Sequence, residues 1–301
     1  MSIQILSHAK INLTLEVLYR REDGYHQIES VMQELKLADR LRLEELPGGK
    51  IELICDHPFL PVDESNLAYL AASRFISRFA PGRGVKIDLQ KKIPMAAGLG
   101  GGSSNAAAVL RGLRRLWGMP RHKEELNDLA VALGSDVPFF LQGGTALAQG
   151  RGELVTALSP FPQVGVLLAA PRGLMLSAAQ VYSALAAHEL SPKGQAEKFI
   201  RILEYKKLEK WERAKLYWLF DLFTNDLERA AFSLEKDILL LKNRLQGLGL
   251  AALMSGSGPI VFAFSRDKEK EKDEEKLKRA YQELQGEGYY VFLTETKGRS
   301  E

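Results

Sequence analysis

The chain has 301 residues, 46% hydrophobic and 26% charged, a formal net charge of +3 and one cysteine. That balance builds a large core, most readily as two domains, and excludes a disordered chain or a disulfide scaffold; the longest apolar runs, such as residues 164–170, are far shorter than the ~20 residues a bilayer span needs. The small excess of positive charge suits an anionic ligand, whereas nucleic acid would call for a basic patch with zinc-finger spacing or an aromatic RNA-binding motif, and the sequence has neither.

The N-terminus, MSIQILSHAK, lacks the basic and then apolar regions of a secretion signal, so a reducing cytoplasm is expected, with Cys55 as a small buried hydrophobe. Period-two alternation predicts strands over 3–6 and 11–17, which turns Ile11, Leu13 and Leu15 to the core and Lys10, Asn12 and Thr14 to the opposite face. A polar segment, RREDGYHQIES, carries an Asp-Gly turn signal and precedes predicted strands over 31–37, 40–45 and 50–54. A helix over 67–79, entered through Asp63-Glu-Ser-Asn, and a strand over 85–90 follow. Then Ala106, Val109, Leu110, Leu113, Leu116 and Trp117 mark a helix that Ser103 or Ser104 could cap and that Gly118 and Pro120 stop. A helix over 126–133 leads to a strand predicted over 139–148, broken at Gly143-Gly144. A buried strand over 164–170, long helical stretches over 177–243, strands over 251–254 and 260–264 around Ser255-Gly-Ser-Gly-Pro259, a charged helix over 267–284 and a last strand over 289–294 complete the reading. The run DKEKEKDEEK reads as a solvated helix face with i,i+4 ion pairs.

The chemistry concentrates in Pro94-Met95-Ala96-Ala97-Gly98-Leu99-Gly100-Gly101-Gly102-Ser103-Ser104. Glycines let backbone N–H groups approach an anion, and the helix start that follows adds unpaired donors and the positive end of its dipole. No lysine follows the last glycine, so the P-loop pattern fails, and the dinucleotide fingerprint fails at Ser103.

The string from Pro94 to Ser104 resembles the ATP-binding loop of the GHMP kinases. Ser255-Gly256-Ser257-Gly258 is similar to that family's third motif and Lys10-Ile11-Asn12-Leu13 to its first. Arg21-Glu-Asp23-Gly24-Tyr25-His26, Leu133-Gly-Ser135-Asp136-Val-Pro138, Gly150-Arg-Gly152-Glu153 and Asn225-Asp-Leu-Glu228 resemble the members that act on a cytidine-diphosphate-linked alcohol. The resemblance implies an α+β chain of two domains, residues 1–158 like ribosomal protein S5 domain 2 and 159–301 ferredoxin-like, with ATP against the glycine loop in the cleft between the domains.

It also implies roles. Asp136 would accept the proton of the attacking hydroxyl, and Lys10 would neutralise charge beside it. Tyr25 would stack on the cytosine, His26 would hydrogen-bond its edge, Tyr182 would close the stack from the other side, and Asn12 would touch the substrate. Mg2+ is expected with the ATP; no carboxylate ligand for it is evident, and Ser103 is a candidate contact. His8, His57, His122 and His188 show no metal-ligand spacing. The expected partner is the small cytidine diphosphate substrate, with no nucleic acid or membrane; monomer and homodimer stay open. The rivals are a GHMP kinase for homoserine, mevalonate or a sugar, a non-catalytic nucleotide sensor on the same scaffold, and, last, a nucleic-acid binder.

Overall fold

The computed structural model describes residues 1–120, 123–185, 190, 193–205, 213–267 and 269–298. His122, His188 and parts of the expected helical stretch over 177–243 lie outside these residues. The chain divides into two compact units, one of residues 1–9, 37–95 and 100–142, the other of residues 10–36, 96–99 and 143–301.

Strands β1 (Ser2–Asn12) and β3 (His26–Leu46) each run through both units. In the first unit the end of β3 pairs antiparallel with β5 (Gly84–Gln90), Leu43 opposite Ile87, and β5 pairs in parallel with β4 (Ile51–Cys55). Leu41, Leu43, Val85, Ile87 and Leu89 are buried from alternate positions, as a one-sided sheet requires. Helix α1 (Leu67–Phe79) starts at Asn66, whose side chain accepts from the Ala68 N–H, and buries Ala68, Ala71, Ala72, Phe75 and Ile76. It packs on α2 (Gly101–Leu116), whose alanines 106–108 are fully buried and admit a close neighbour. Helices α3 (Lys123–Leu133) and α4 (Val137–Gln142) close the unit.

The strand expected over 139–148 is therefore corrected: residues 137–142 are helical and β6 (Thr145–Gly150) begins after the glycine pair. An apolar run as short as VPFFL suits either state, and Pro138 falls in the first turn, where its missing N–H costs no helical hydrogen bond. The two strands expected over 31–37 and 40–45 are one, and the polar segment is strand from His26 onward.

In the second unit β2 (Thr14–Arg20) pairs antiparallel with the start of β3, Glu16 opposite Glu29, and β3 pairs with β6, which pairs with β7 (Leu154–Ala157). A second sheet holds β8 (Gly165–Ala170), β10 (Leu250–Met254), β11 (Val261–Ser265) and β12 (Tyr290–Glu295) in the antiparallel order β10-β11-β8-β12. That is the second, third, first and fourth strand of a β-α-β-β-α-β run, the ferredoxin-like arrangement. Val261 and Ala263 face a core that includes Leu167, Ile238, Leu241 and Leu277, whereas Phe262 and Phe264 join Phe161, Phe220 and Phe223. Both faces are covered, which is why these strands read as unbroken apolar runs.

The expected helical stretch is broken into α5 (Ala178–Ala184), α6 (Gln195–Leu203), α7 (Arg213–Phe220), α8 (Glu228–Leu234) and α9 (Lys236–Gly247), with β9 (Thr224–Asn225) parallel to β2 between α7 and α8. Helix α10 (Lys270–Gly286) starts three residues later than expected. Its exposed side has the ion pairs Lys270–Glu274 and Arg279–Glu283, while Asp273 from the charged run is buried. Among the described residues no helix is long and apolar enough to cross a membrane. Cys55 is partly exposed, not buried, and its burial and neighbours together leave the thiol above its ordinary pKa, burial being the largest cause.

Candidate active site

Gly98 and Gly100 have φ of +73° and +70°, so the glycine loop turns through left-handed positions that a side chain resists. Gly100 is the N-cap of α2, with no side-chain hydrogen bond in that role. Ser103 and Ser104, expected as caps, instead lie in the first turn, because the left-handed glycine starts the helix earlier. The first helical bond runs from the Ser104 N–H to the Gly100 carbonyl. The N–H groups of residues 101–103 thus have no partner within the helix, the arrangement that accepts phosphate oxygens. Neither Gly101 nor Gly102 has positive φ; a Cβ on Gly102 would meet only Leu67 Cδ1, at 3.6 Å, so the surface there is open to an anion.

A buried network holds this turn within the first unit. Asp39, fully buried, accepts from the N–H groups of Lys92 (2.7 Å) and Ile93 (2.8 Å), from Asn105 Nδ2 (2.9 Å) and from Lys91 Nζ. Asn105 Nδ2 also donates to Ser7 Oγ at 2.8 Å, and the Ser7 hydroxyl donates to Ser104 Oγ at 2.7 Å. No sequence pattern links these residues, which lie up to 98 positions apart.

Asp136 immediately precedes α4, half-buried in the turn after α3. That turn lies beside the start of α2: a Cβ on Gly134 would stand 4.0 Å from Ser103 Oγ. Phe139 and Phe140, buried and edge-on at 5.2 Å, fix α4 behind it, and Arg111 of α2 donates to the Phe140 carbonyl.

In the second unit Lys10 Nζ donates to Asn12 Oδ1 at 2.7 Å, Asn12 Nδ2 to Ser30 Oγ at 2.7 Å, and Ser30 Oγ to the Thr14 carbonyl at 2.6 Å. The strand expected over 11–17 breaks at Leu13, and the hydroxyl of Thr14, the first residue of β2, accepts from the Val31 N–H at 3.0 Å. Lys10 and Asn12, joined to each other, are as buried as Ile11 and Leu13: Lys10 is 4% exposed and Asn12 1%. The cover comes from the turn at Ser255-Gly256, where a Cβ on Gly256 would stand 3.3 Å from Asn12 Oδ1 and 3.4 Å from Lys10 Nζ. Ser255 Oγ donates to the Gly98 carbonyl at 3.0 Å, and the Lys10 N–H donates to the Leu99 carbonyl at 3.0 Å. The first motif, the glycine loop and the third motif therefore meet at Lys10, a buried ammonium oriented by an amide.

The Arg21–Tyr25 turn joins β2 to β3. Asp23 pairs with Arg21 at 3.0 Å and accepts from the Tyr25 N–H at 3.1 Å, Gly24 supplies a φ of +85°, and the Arg21 hydrogen bond holds the Asp23 carboxyl below its ordinary pKa. Tyr25 is half exposed, with the Arg151 guanidinium 4.7 Å from its ring centroid. Sequence reasoning assigns Arg151 no role; the flanking Gly150 and Gly152 are the signal that could have found it. His26 stacks on Tyr182 at 5.1 Å, so these two rings face each other directly. Burial, helped by the positive Arg20, lowers the His26 pKa and favours a neutral imidazole with one donor and one acceptor. His8 and His57 join no metal site: among the described residues there is no group of three or more His, Cys, Asp or Glu placed to hold an ion.

The profile of the GHMP kinases N terminal domain matches residues 66–144, and that of the GHMP kinases C terminal domain matches residues 212–289. A protein of Synechococcus sp. (strain JA-3-3Ab) named 4-diphosphocytidyl-2-C-methyl-D-erythritol kinase is 45% identical over 86% of this chain and 83% of its own. The chain belongs to the GHMP kinases. A Listeria welshimeri protein with the same enzyme name is 40% identical over 100% of this chain and 98% of its own. A crystal structure of 4-(cytidine 5'-diphospho)-2C-methyl-D-erythritol kinase, 36% identical, superposes with a TM-score of 0.78 over 98% of this chain and 100% of that one. The two-domain GHMP kinase fold expected from the sequence is the fold found, and a GHMP kinase uses ATP as its phosphoryl donor.

Proposed function

We propose that the chain transfers the γ-phosphoryl group of ATP to the 2-hydroxyl of 4-diphosphocytidyl-2-C-methyl-D-erythritol, a step in making isoprenoid precursors in the cytoplasm. Relatives at 40% and 45% identity support the substrate by their names. The observation that carries the choice is the stacked pair of His26 and Tyr182 beside a half-exposed Tyr25 braced by Arg151, rings that a homoserine or mevalonate kinase would not need. The boundary at 158/159 fits this reading, since the two family matches fall on either side of it.

The N–H groups of residues 101–103 and the loop from Pro94 hold the nucleotide phosphates. The hydroxyl oxygen attacks the γ-phosphorus, the bond to the β-phosphate oxygen breaks, ADP leaves, and the hydroxyl proton passes to Asp136. The transition state is loose and the proton leaves late, so Asp136 acts mainly by placing the hydroxyl. Lys10, held by Asn12, neutralises the charge on the transferring group. Neutral His26 offers the donor and acceptor that the cytosine edge requires, and Tyr25 provides the exposed face for stacking. Tyr182, expected to close the stack from the side opposite Tyr25, stacks on His26 and so fixes that ring. The Ser103 hydroxyl, in the first turn of α2, would be the group to contact Mg2+ or one of its waters; when bound, the ion would neutralise phosphate charge.

An ADP-release assay with this substrate beside homoserine and mevalonate tests the reading. Turnover of the cytidine substrate alone is expected, and preferential turnover of either other alcohol overturns it.

A further inference from the structure

The Asn225-Asp-Leu-Glu228 stretch has no part in the mechanism above, yet its first three residues are buried and the stretch is densely bonded. Asn225, 5% exposed, donates from Nδ2 to the Met254 and Gly256 carbonyls, both at 2.8 Å, and accepts from the Leu227 N–H at 3.0 Å. Both amide protons and the amide oxygen are thereby used. Its backbone is fixed in turn by β9, where Asn225 sits opposite Leu15 of β2. Asn225 thus holds the end of β10 at Met254 and the turn at Gly256, and Gly256 itself lies against Lys10 Nζ and Asn12 Oδ1.

We propose that Asn225 is a positioning residue for phosphoryl transfer. It holds the Gly256 turn against Lys10 and so fixes the ammonium at the angle the transferring group requires. The inference rests on Lys10 acting as the kinase reading assigns it. The adjacent Asp226 bonds elsewhere. It accepts from the Val17 N–H at 2.7 Å and pairs with Lys193 at 3.0 Å, which ties it to β2 and to the segment before α6. Both neighbours are buried, so together they separate a positioning role from a structural one.

In Asn225→Asp the shape is kept but a carboxylate faces two carbonyls, and the turn must shift. Displacement of reacting groups by about 1 Å can cost on the order of 100-fold in rate. We expect kcat at least tenfold below wild type at a temperature where the variant is fully folded, with KM for the cytidine substrate within twofold. Amide exchange at residues 256–258 should quicken in the absence of any ligand. Asp226→Asn should lose comparable thermal stability but keep kcat within threefold. If Asn225→Asp does not fold, Asn225→Ala, which removes the donors without adding charge, is read the same way.

Unchanged kcat, unchanged exchange at the turn, or equal kcat losses in the Asn225 and Asp226 variants each overturn the proposal. The wild type, run on all three alcohols, isolates the other failure. If it phosphorylates homoserine or mevalonate instead, the substrate reading fails, and Asn225 is judged on that alcohol's kcat and on the exchange data.

Discussion

Gly98→Ala is the sharpest test of how the three motifs are joined. A Cβ at this position would lie 2.0 Å from the Ser255 carbonyl oxygen and 3.2 Å from the Gly258 nitrogen, both backbone atoms. Ordinary contact begins near 3.4 Å, so the turn would have to retreat by about 1.4 Å. The left-handed φ of +73° adds roughly 1–2 kcal/mol for a residue with a side chain. Retreat also breaks the hydrogen bond from Ser255 Oγ to the Gly98 carbonyl, worth about 1 kcal/mol. Together these give a loss of roughly 2–3 kcal/mol in stability. The same shift uncovers Lys10, so kcat should fall on the order of 100-fold. Gly102→Ala is the control for the backbone: its Cβ meets only Leu67 Cδ1 at 3.6 Å, φ is not positive, and thermal stability should hold or rise. Thermal melts and ADP release measure both. A Gly98→Ala enzyme with kcat within twofold of wild type would refute the meeting of the motifs at Lys10.

Asp136→Asn should fold and bind ATP normally but retain under about a tenth of wild-type kcat, since positioned acid–base groups contribute on the order of 100-fold or more; a larger remainder of activity removes Asp136 from the mechanism. Tyr25→Ala should cost roughly 1–3 kcal/mol, appearing in KM for the cytidine substrate with ATP affinity unchanged; an unaltered KM would misplace the base. The depressed His26 pKa means the folded protein favours neutral imidazole. Its stabilising contribution is therefore complete above the ordinary value of about 6.5 and is lost as pH falls through the lower folded value. KM for the cytidine substrate should follow, flat from pH 8 to 6.5 and rising only below; a rise already at pH 7 contradicts the neutral His26 reader.

Much of this can be read in the sequence because the signals are local. Helix α1 is legible to the residue, since Asn66 caps it and Ala, Phe and Ile recur at helical spacing. The glycine loop, proposed to hold phosphate, is noticed in the sequence for the same reason: its chemistry lies in its own backbone. What escapes depends on partners far along the chain. Asp39 reads as a break between two strands because a buried carboxylate inside a strand is costly unless paired, and its partners at Lys91, Ile93 and Asn105 lie 52 to 66 residues away. Lys10 reads as one half of a two-faced strand because the Gly256 turn that covers it comes almost 250 residues later. Asn225-Asp-Leu-Glu228 is visible as a string of residues and nothing more. Its purpose emerges only when the carbonyls of Met254 and Gly256 are seen to take both protons of one amide. The groups proposed to touch substrate are thus the readable ones, since their residue types announce their chemistry. The groups that aim them are chosen by where a distant turn must stand, and that information is spread over the whole fold.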